Sequence, residues 1–279
     1  MKKRRIGFQG DLGAFSQEAV RQIFADTVDV APFQRFEEVF QALDKAAIDA
    51  AVLPIENTLA GSVHENYDHL LHFKVRIVAE TSVRIIHNLI APQGVSFRQV
   101  KRVFSHPVAL NQCLSFFKTN PQVEKVPFYD TAGSVKMVIE EGLKDAAGIA
   151  ASVAASIYGG KILRRSIEDD RQNFTRFFLL NAKKPVLPPP RDVKVWKTSL
   201  VFTTRNTPGA LFRSLSVFAL RDLNIVKIES RPLRGKPWEY LFYLDFEGRE
   251  QDPHVQKALG HLAELADFIR VLGTYPRGH

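Results

Sequence analysis

Cysteine is almost missing from this chain, with Cys113 alone among 279 residues. That excludes an intramolecular disulfide and a cysteine-based metal site. Long apolar runs are missing too: nothing approaches the roughly 20 apolar residues of a membrane-spanning helix. The basic start, Lys2 to Arg5, opens like a signal peptide, but Gly7, Gln9, Gly10 and Asp11 interrupt it at once. These absences lead us to expect a cytoplasmic protein. No glycine-rich loop ending in Lys-Ser or Lys-Thr occurs, and the glycines near the start do not follow the G-x-G-x-x-G spacing. His64, His69 and His72 share one predicted helix without the His-Glu-x-x-His pattern, so a solvated helix face is the plainer reading. No metal and no cofactor is expected.

Hydrophobic residues make up 45% of the chain, enough for a sizeable core, and the length suggests two domains. The net charge is +8, but beyond the N-terminus the basic residues are scattered and no nucleic-acid motif stands out. Small anions are the expected partners, rather than nucleic acid or membrane. Lys183 to Asp192 carries four prolines and cannot continue a helix or a central strand. The boundary is placed there, with a linker over 183–195. Before it, strands at Ile6–Phe8, Ala50–Leu53, Arg102–Ser105, Val123–Phe128, Ala147–Ala150 and Thr175–Asn181 alternate with helices at 15–24, 36–46 and 132–141 and after Pro107. One or two more strands lie in Val75–Ile90. That alternation predicts α/β layers with mostly parallel sheets. After the linker the predicted order is βαββαβ, which is ferredoxin-like.

Several polar segments fall at strand-to-helix junctions, where open α/β sheets place ligands. Gly7 to Ser16 offers close backbone approach and a helix N-terminus, although a tight turn is the plainer reading. Glu56-Asn57-Thr58 leaves the end of a strand and forms either a hydrogen-bonding rim or an ordinary turn. Ser105-His106-Pro107 starts a helix on which Gln112 is predicted about two turns in; His106 is either a base or, more plainly, a cap. Asn173-Phe174-Thr175-Arg176-Phe177 combines a hydroxyl, a cation and aromatics, which suits an apolar ring bearing carboxylates. Its plainer reading is a strand start with Arg176 paired to Glu168-Asp169-Asp170.

Together these segments, with Asp130-Thr131-Ala132, resemble the prephenate dehydratase family in kind, order and spacing. Gly209-Ala210-Leu211-Phe212 and Glu229-Ser230-Arg231-Pro232 resemble the phenylalanine-binding motifs of its regulatory ACT domain. Departures are Val108 for the usual Gln, Thr58 for Ser, and Gly-Asp-Leu-Gly where a Gly-Pro form is commoner. The resemblance implies two lobes of the periplasmic-binding-protein type II kind, about 1–80 plus 165–182 and about 81–160, and an ACT domain over 196–279. It implies decarboxylative dehydration of prephenate to phenylpyruvate, feedback-regulated by phenylalanine, in a homodimer or homotetramer joined through ACT domains. Arogenate is the rival substrate, and a non-catalytic amino-acid or keto-acid sensor the rival function. Thr175 is then the donor to the leaving hydroxyl. Asn57, Thr58, Ser105 and Gln112 position the substrate, with Glu56 behind them and Thr131 and Ala132 at its edge. Arg176 either holds a carboxylate or makes a structural salt bridge. Phe174 and Phe177 either wall the ring or pack the core. The effector site is placed at Gly209, Ala210, Leu211, Asn224, Glu229, Ser230 and Arg231, with Leu223 nearby.

Overall fold

The computed structural model describes residues 3–182, 187, 192–204, 206–233 and 239–278. It divides into two compact units, Met1–Lys74 with Thr81–Phe178, and Val75–Glu80 with Leu179–His279. Most of the expected linker over 183–195 lies outside the described residues. Among the described residues no helix is long and apolar enough to cross a membrane.

The chain begins with β1 (Arg5–Gln9), α1 (Phe15–Phe24), β2 (Asp29–Phe33), α2 (Phe36–Asp44), β3 (Ala50–Asn57), β4 (Gly61–Ser62), α3 (His64–His72) and β5 (Arg76–Arg84). It crosses to β6 (Asn88–Ala91), β7 (Arg102–Ser105), α4 (Pro107–Asn111), α5 (Leu114–Thr119), β8 (Glu124–Pro127), α6 (Thr131–Glu140), β9 (Ala146–Ala150), α7 (Ser152–Tyr158) and β10 (Lys161–Arg164), then returns with β11 (Phe174–Asn181). One sheet runs β2-β1-β3-β11-β5 with β4 beside β3, and the other runs β10-β6-β9-β7-β8. The two crossings, at 85–87 and 165–173, join two lobes of the expected periplasmic-binding-protein-like kind. In α1 the buried Ser16, Ala19, Val20 and Phe24 recur at helical spacing, which presses one face onto the sheet.

Three details differ from the sequence reading. In the first lobe β1 runs parallel to β2 and β3, and in the second β7 runs parallel to β8 and β9, but β6 runs antiparallel to both β9 and β10. The expected helix after Pro107 is two short ones, and Gln112 caps the first instead of lying two turns inside it. β2 was not foreseen because Pro32 interrupts its pattern, yet β2 is an edge strand, where a missing N–H is tolerated.

The second unit contains β12 (Trp196–Thr204), α8 (Ala210–Ala219), β13 (Ile225–Pro232), β14 (Tyr240–Glu247), α9 (Pro253–Leu265) and β15 (Ala266–Pro276). Its sheet order is β13-β14-β12-β15, with every neighbour antiparallel. Leu200, Phe202, Leu244 and Phe246 on the sheet bury against Val217 and Phe218 of α8 and Val255, Ala258 and Leu262 of α9. This is the ferredoxin-like βαββαβ layer expected from the order of elements.

Candidate active site

Within the first unit, both lobes line a cavity of about 450 Å³. One side is built from the start of α1 (Ala14, Phe15, Ser16), from Asn57 at the end of β3, and from Thr175 and Phe177 on β11. The other is built from His106, Val108 and Gln112 around α4 and from Tyr129, Asp130 and Thr131 at the start of α6, with His87 at the crossing. Strand ends and helix starts therefore converge, as they do in open α/β sheets. A second groove, of about 920 Å³, runs past Arg21, Arg84 and Arg165 but holds none of the polar network described next.

Asn57 is the centre of that network. Its Oδ1 accepts the backbone N–H groups of Leu59 (3.0 Å) and Ala60 (2.8 Å). Its Nδ2 then faces the other way and donates to Asn173 Oδ1 at 2.7 Å and to Thr175 Oγ1 at 3.0 Å. Gln112 Nε2 donates to Asn57 Oδ1 at 3.3 Å, and Gln112 Oε1 accepts from Asn173 Nδ2 at 3.0 Å. Asn57 occupies one lone pair of the Thr175 hydroxyl, so the hydroxyl keeps its proton for another acceptor. Thr175 is itself nearly buried, which strengthens any hydrogen bond it makes.

The structure brings Thr175, Asn57, Gln112, Thr131 and Phe177 to the cavity and leaves the other predicted residues outside its lining. The expectation that Arg176 holds a carboxylate is not met by its placement. Its guanidinium lies 3.8 Å from Glu56 Oε2 and stacks 4.7 Å over the Phe178 ring. Strand alternation explains this, because Asn57 and Thr175 face the cavity and their neighbours Glu56 and Arg176 therefore turn away. Glu56 is thus engaged with Arg176. Ser105 is fully buried and donates to Ile149 O at 2.7 Å, bracing β7 on β9. Ala132 is fully buried in α6. Thr58 donates to Gln172 O at 2.9 Å and accepts from Phe174 N at 3.0 Å, fastening the strand that carries Thr175. Phe174 is exposed, whereas Phe177 is buried and walls the cavity. His106 caps α4 by accepting the Val108 N–H.

Sequence reasoning passed over His87 and Tyr129, and quoted Asp130 within a motif without giving it a role. The available signal was a histidine inside the apolar run from Val83 to Ala91. Burial pushes the imidazoles of His87 and His106 below the usual histidine range, opposed at His87 by the Gln112 hydrogen bond and at His106 by Asp130. Burial raises the Asp130 carboxyl, opposed by the N–H groups of Gly133 and Asp11. Among the described residues no lysine or arginine lines the cavity. The starts of α1 and α6, each a ten-residue helix, border the cavity and present the positive ends of their dipoles there.

Asp11 ties one lobe to the other. Its carboxylate accepts from the Tyr129 hydroxyl and from Lys136 Nζ at 3.2 Å, and its N–H donates to Asp130 Oδ2 at 3.2 Å. Burial and the Asp11 hydrogen bond push the Tyr129 phenol well above its usual range. Tyr158, whose hydroxyl donates to Leu12 O at 2.7 Å, is pushed by burial up to about 12. Gly10 and Gly13 on either side adopt φ of 111° and 90°, and a Cβ at Gly13 would stand 3.0 Å from the Ala154 backbone. Asp11→Ala is expected to raise KM roughly tenfold, about 1.4 kcal/mol of lost lobe closure. Steady-state kinetics checks this, and an unchanged KM would show that the clasp is irrelevant to binding.

The family model for prephenate dehydratase matches residues 6–185. The chain belongs to the prephenate dehydratase family. A model of the ACT domain matches residues 198–264. The chain is 43% identical over 281 residues to arogenate dehydratase/prephenate dehydratase 2, chloroplastic, of Arabidopsis thaliana, covering 98% of this chain and 72% of the relative. Among solved structures it is similar to a prephenate dehydratase from Arthrobacter aurescens in complex with L-Phe. There the identity is 31%, the TM-score 0.88, and 98% of this chain and 90% of that one are covered. It is also similar to a protein described as GqqA, a novel type of quorum quenching acylase, at 34% identity and TM-score 0.87, with 98% of each chain covered. The resemblance read from the motifs and the fold class are both borne out. As a member of a dehydratase family this prephenate dehydratase relative is a lyase-type enzyme.

In the ACT domain of this family member, Gly209 has φ of 75° and caps the start of α8. Ala210 donates its N–H to Thr207 O at 3.1 Å. Leu211, in the first turn of α8, packs against the core. Asn224 Nδ2 donates to Glu247 Oε2 at 3.2 Å, and Leu223 is buried. Glu229, Ser230 and Arg231 lie on the edge strand β13, with Glu229 3.7 Å from Lys227 Nζ.

Proposed function

We propose that this enzyme removes carbon dioxide and water from prephenate to form phenylpyruvate. The bond from the ring to its carboxylate breaks, and that electron pair forms the new ring double bond. The bond from the ring to its hydroxyl breaks as the aromatic ring closes, and the hydroxyl leaves with a proton as water. The reaction takes up one proton overall. The departing carboxylate supplies the electrons, so no base has to abstract a carbon-bound proton. The protein's part is to orient the substrate, keep the ring dry and donate to the leaving oxygen. The observation that carries this reading is the buried Thr175 hydroxyl, held as an acceptor by Asn57 so that its proton points elsewhere. Threonine is a weak acid, so it acts by hydrogen bonding and by relaying a proton. Phe177 provides the apolar wall.

Arogenate is the second reading. It carries an ammonium in place of the side-chain ketone. Support comes from the cavity itself, which is lined by the carboxylate of Asp130 and by no lysine or arginine among the described residues. Turnover of prephenate and of arogenate by one preparation, following phenylpyruvate and phenylalanine, is the deciding assay. No product from either substrate would leave a ligand sensor as the function.

Phenylalanine is the proposed effector, acting through the ACT domains of a homodimer or homotetramer. β13 supports such pairing, since it is an edge strand with Val226 and Ile228 both about 40% exposed. Calorimetry is expected to give phenylalanine binding to wild type and at least tenfold weaker binding to Gly209→Val, about 1.4 kcal/mol. Around Gly209 a Cβ has room, the nearest atom being Arg213 Nη1 at 3.7 Å. The variant therefore acts through its left-handed φ, which a β-branched residue resists. Undiminished binding would move the effector elsewhere.

A further inference from the structure

We propose that His87 is a positioning residue for the reaction: its Nε2–H, acting through Gln112 and Asn57, fixes how the Thr175 hydroxyl presents its proton. This rests on the reading of Thr175 as the donor to the leaving hydroxyl. The argument begins with two backbone donors. Leu59 and Ala60 N–H groups can only donate, so the group of Asn57 that meets them is Oδ1. Gln112 approaches that same oxygen and must present Nε2 to it. The opposite end of the Gln112 amide, Oε1, then faces Asn173 Nδ2 and, at 2.9 Å, the His87 ring nitrogen Nε2. A reversed Gln112 would set oxygen against oxygen at Asn57 and nitrogen against nitrogen at Asn173. An amide oxygen only accepts, so His87 Nε2 carries the proton. In the neutral ring, Nδ1 then keeps a lone pair.

The imidazole is held for this task. It is 2% exposed, its ring meets Phe15 edge-on at 5.7 Å, and its backbone N–H donates to Glu168 Oε2 at 2.9 Å. Burial keeps the ring neutral near pH 7. Without the His87 donor, Gln112 Oε1 keeps only Asn173. The amide is then able to rotate and withdraw its bonds from Asn57 and Asn173, which loosens the setting of the Asn57 donor to Thr175.

Two isosteric choices separate the donor from the shape. His87→Gln keeps an N–H at similar reach and loses the ring; His87→Phe keeps the ring and loses the N–H. His87→Phe is expected to lower kcat about tenfold, the rate equivalent of one lost hydrogen bond, with KM little changed. His87→Gln is expected to restore most of it. Activity that follows ring shape, with the Phe variant equal to or better than the Gln variant, overturns the proposal. Should either variant fold poorly, ¹⁵N spectra of histidine-labelled wild type decide directly. A protonated Nε2 and an unprotonated Nδ1 on His87 near pH 7 are expected, and the opposite tautomer removes the proposal. A fully active Thr175→Val would instead remove the reading beneath it.

Discussion

Thr175→Val is expected to lower kcat by about 10²–10⁴-fold, the usual worth of acid assistance to a leaving group, with KM and thermal stability close to those of wild type. Valine keeps the β-branched shape on a strand and removes only the hydroxyl. The change strands no buried donor, because Asn57 Nδ2 retains Asn173 Oδ1 at 2.7 Å and Phe174 O at 3.1 Å. Loss of rate therefore reports the missing hydroxyl rather than a collapsed network. Thr175→Ser is the control, since it returns the hydroxyl and gives up only the methyl. Single-turnover kinetics on all three proteins separates chemistry from product release. A Val variant retaining most of the wild-type rate would end the assignment of Thr175.

The motif around Thr175 was legible because chemistry-bearing residues cluster there at a strand end. Which of them face the substrate was not legible. Asn173 to Phe178 has aromatic or polar groups at every position, so no alternation in the sequence sets the phase of β11. The structure sets it, placing Thr175 and Phe177 on the cavity and Arg176 with Phe178 on the reverse. Ser105 read as a site residue because it stands at a strand-to-helix junction in a family-like motif, and its partner, the Ile149 carbonyl, is 44 residues away. His87 was invisible because its importance lies in Gln112, 25 residues on. Fold class was easier. Strand and helix order survives the loss of individual boundaries, and βαββαβ after the prolines admits few layer arrangements. The edge strand β2 was lost for want of a pattern, not of stability.

Lys197→Met is expected to destabilise the second unit by about 3–5 kcal/mol, the range for removing one partner of a buried ion pair. Lys197 Nζ lies 3.0 Å from both oxygens of Glu80, and the two side chains are only 9% and 5% exposed. Glu80 also accepts the Gly278 N–H at 2.9 Å. It belongs to Val75–Glu80, the piece of β5 that lies in the second unit. Space there is tight, since a Cβ on Gly273 would sit 2.1 Å from the Ile77 carbonyl oxygen. Methionine fills the volume of the lysine stem but brings no charge, so Glu80 stays buried without its lysine. The double variant Lys197→Met/Glu80→Met removes both charges together. It is expected to recover most of the loss, because apolar replacement of a whole buried pair is often neutral or better. Both tryptophans, Trp196 and Trp238, fall in this unit's sequence, so urea unfolding followed by their fluorescence reports on it. If the single variant matches wild type, or the double variant is no more stable than the single, the pair contributes nothing that packing alone does not.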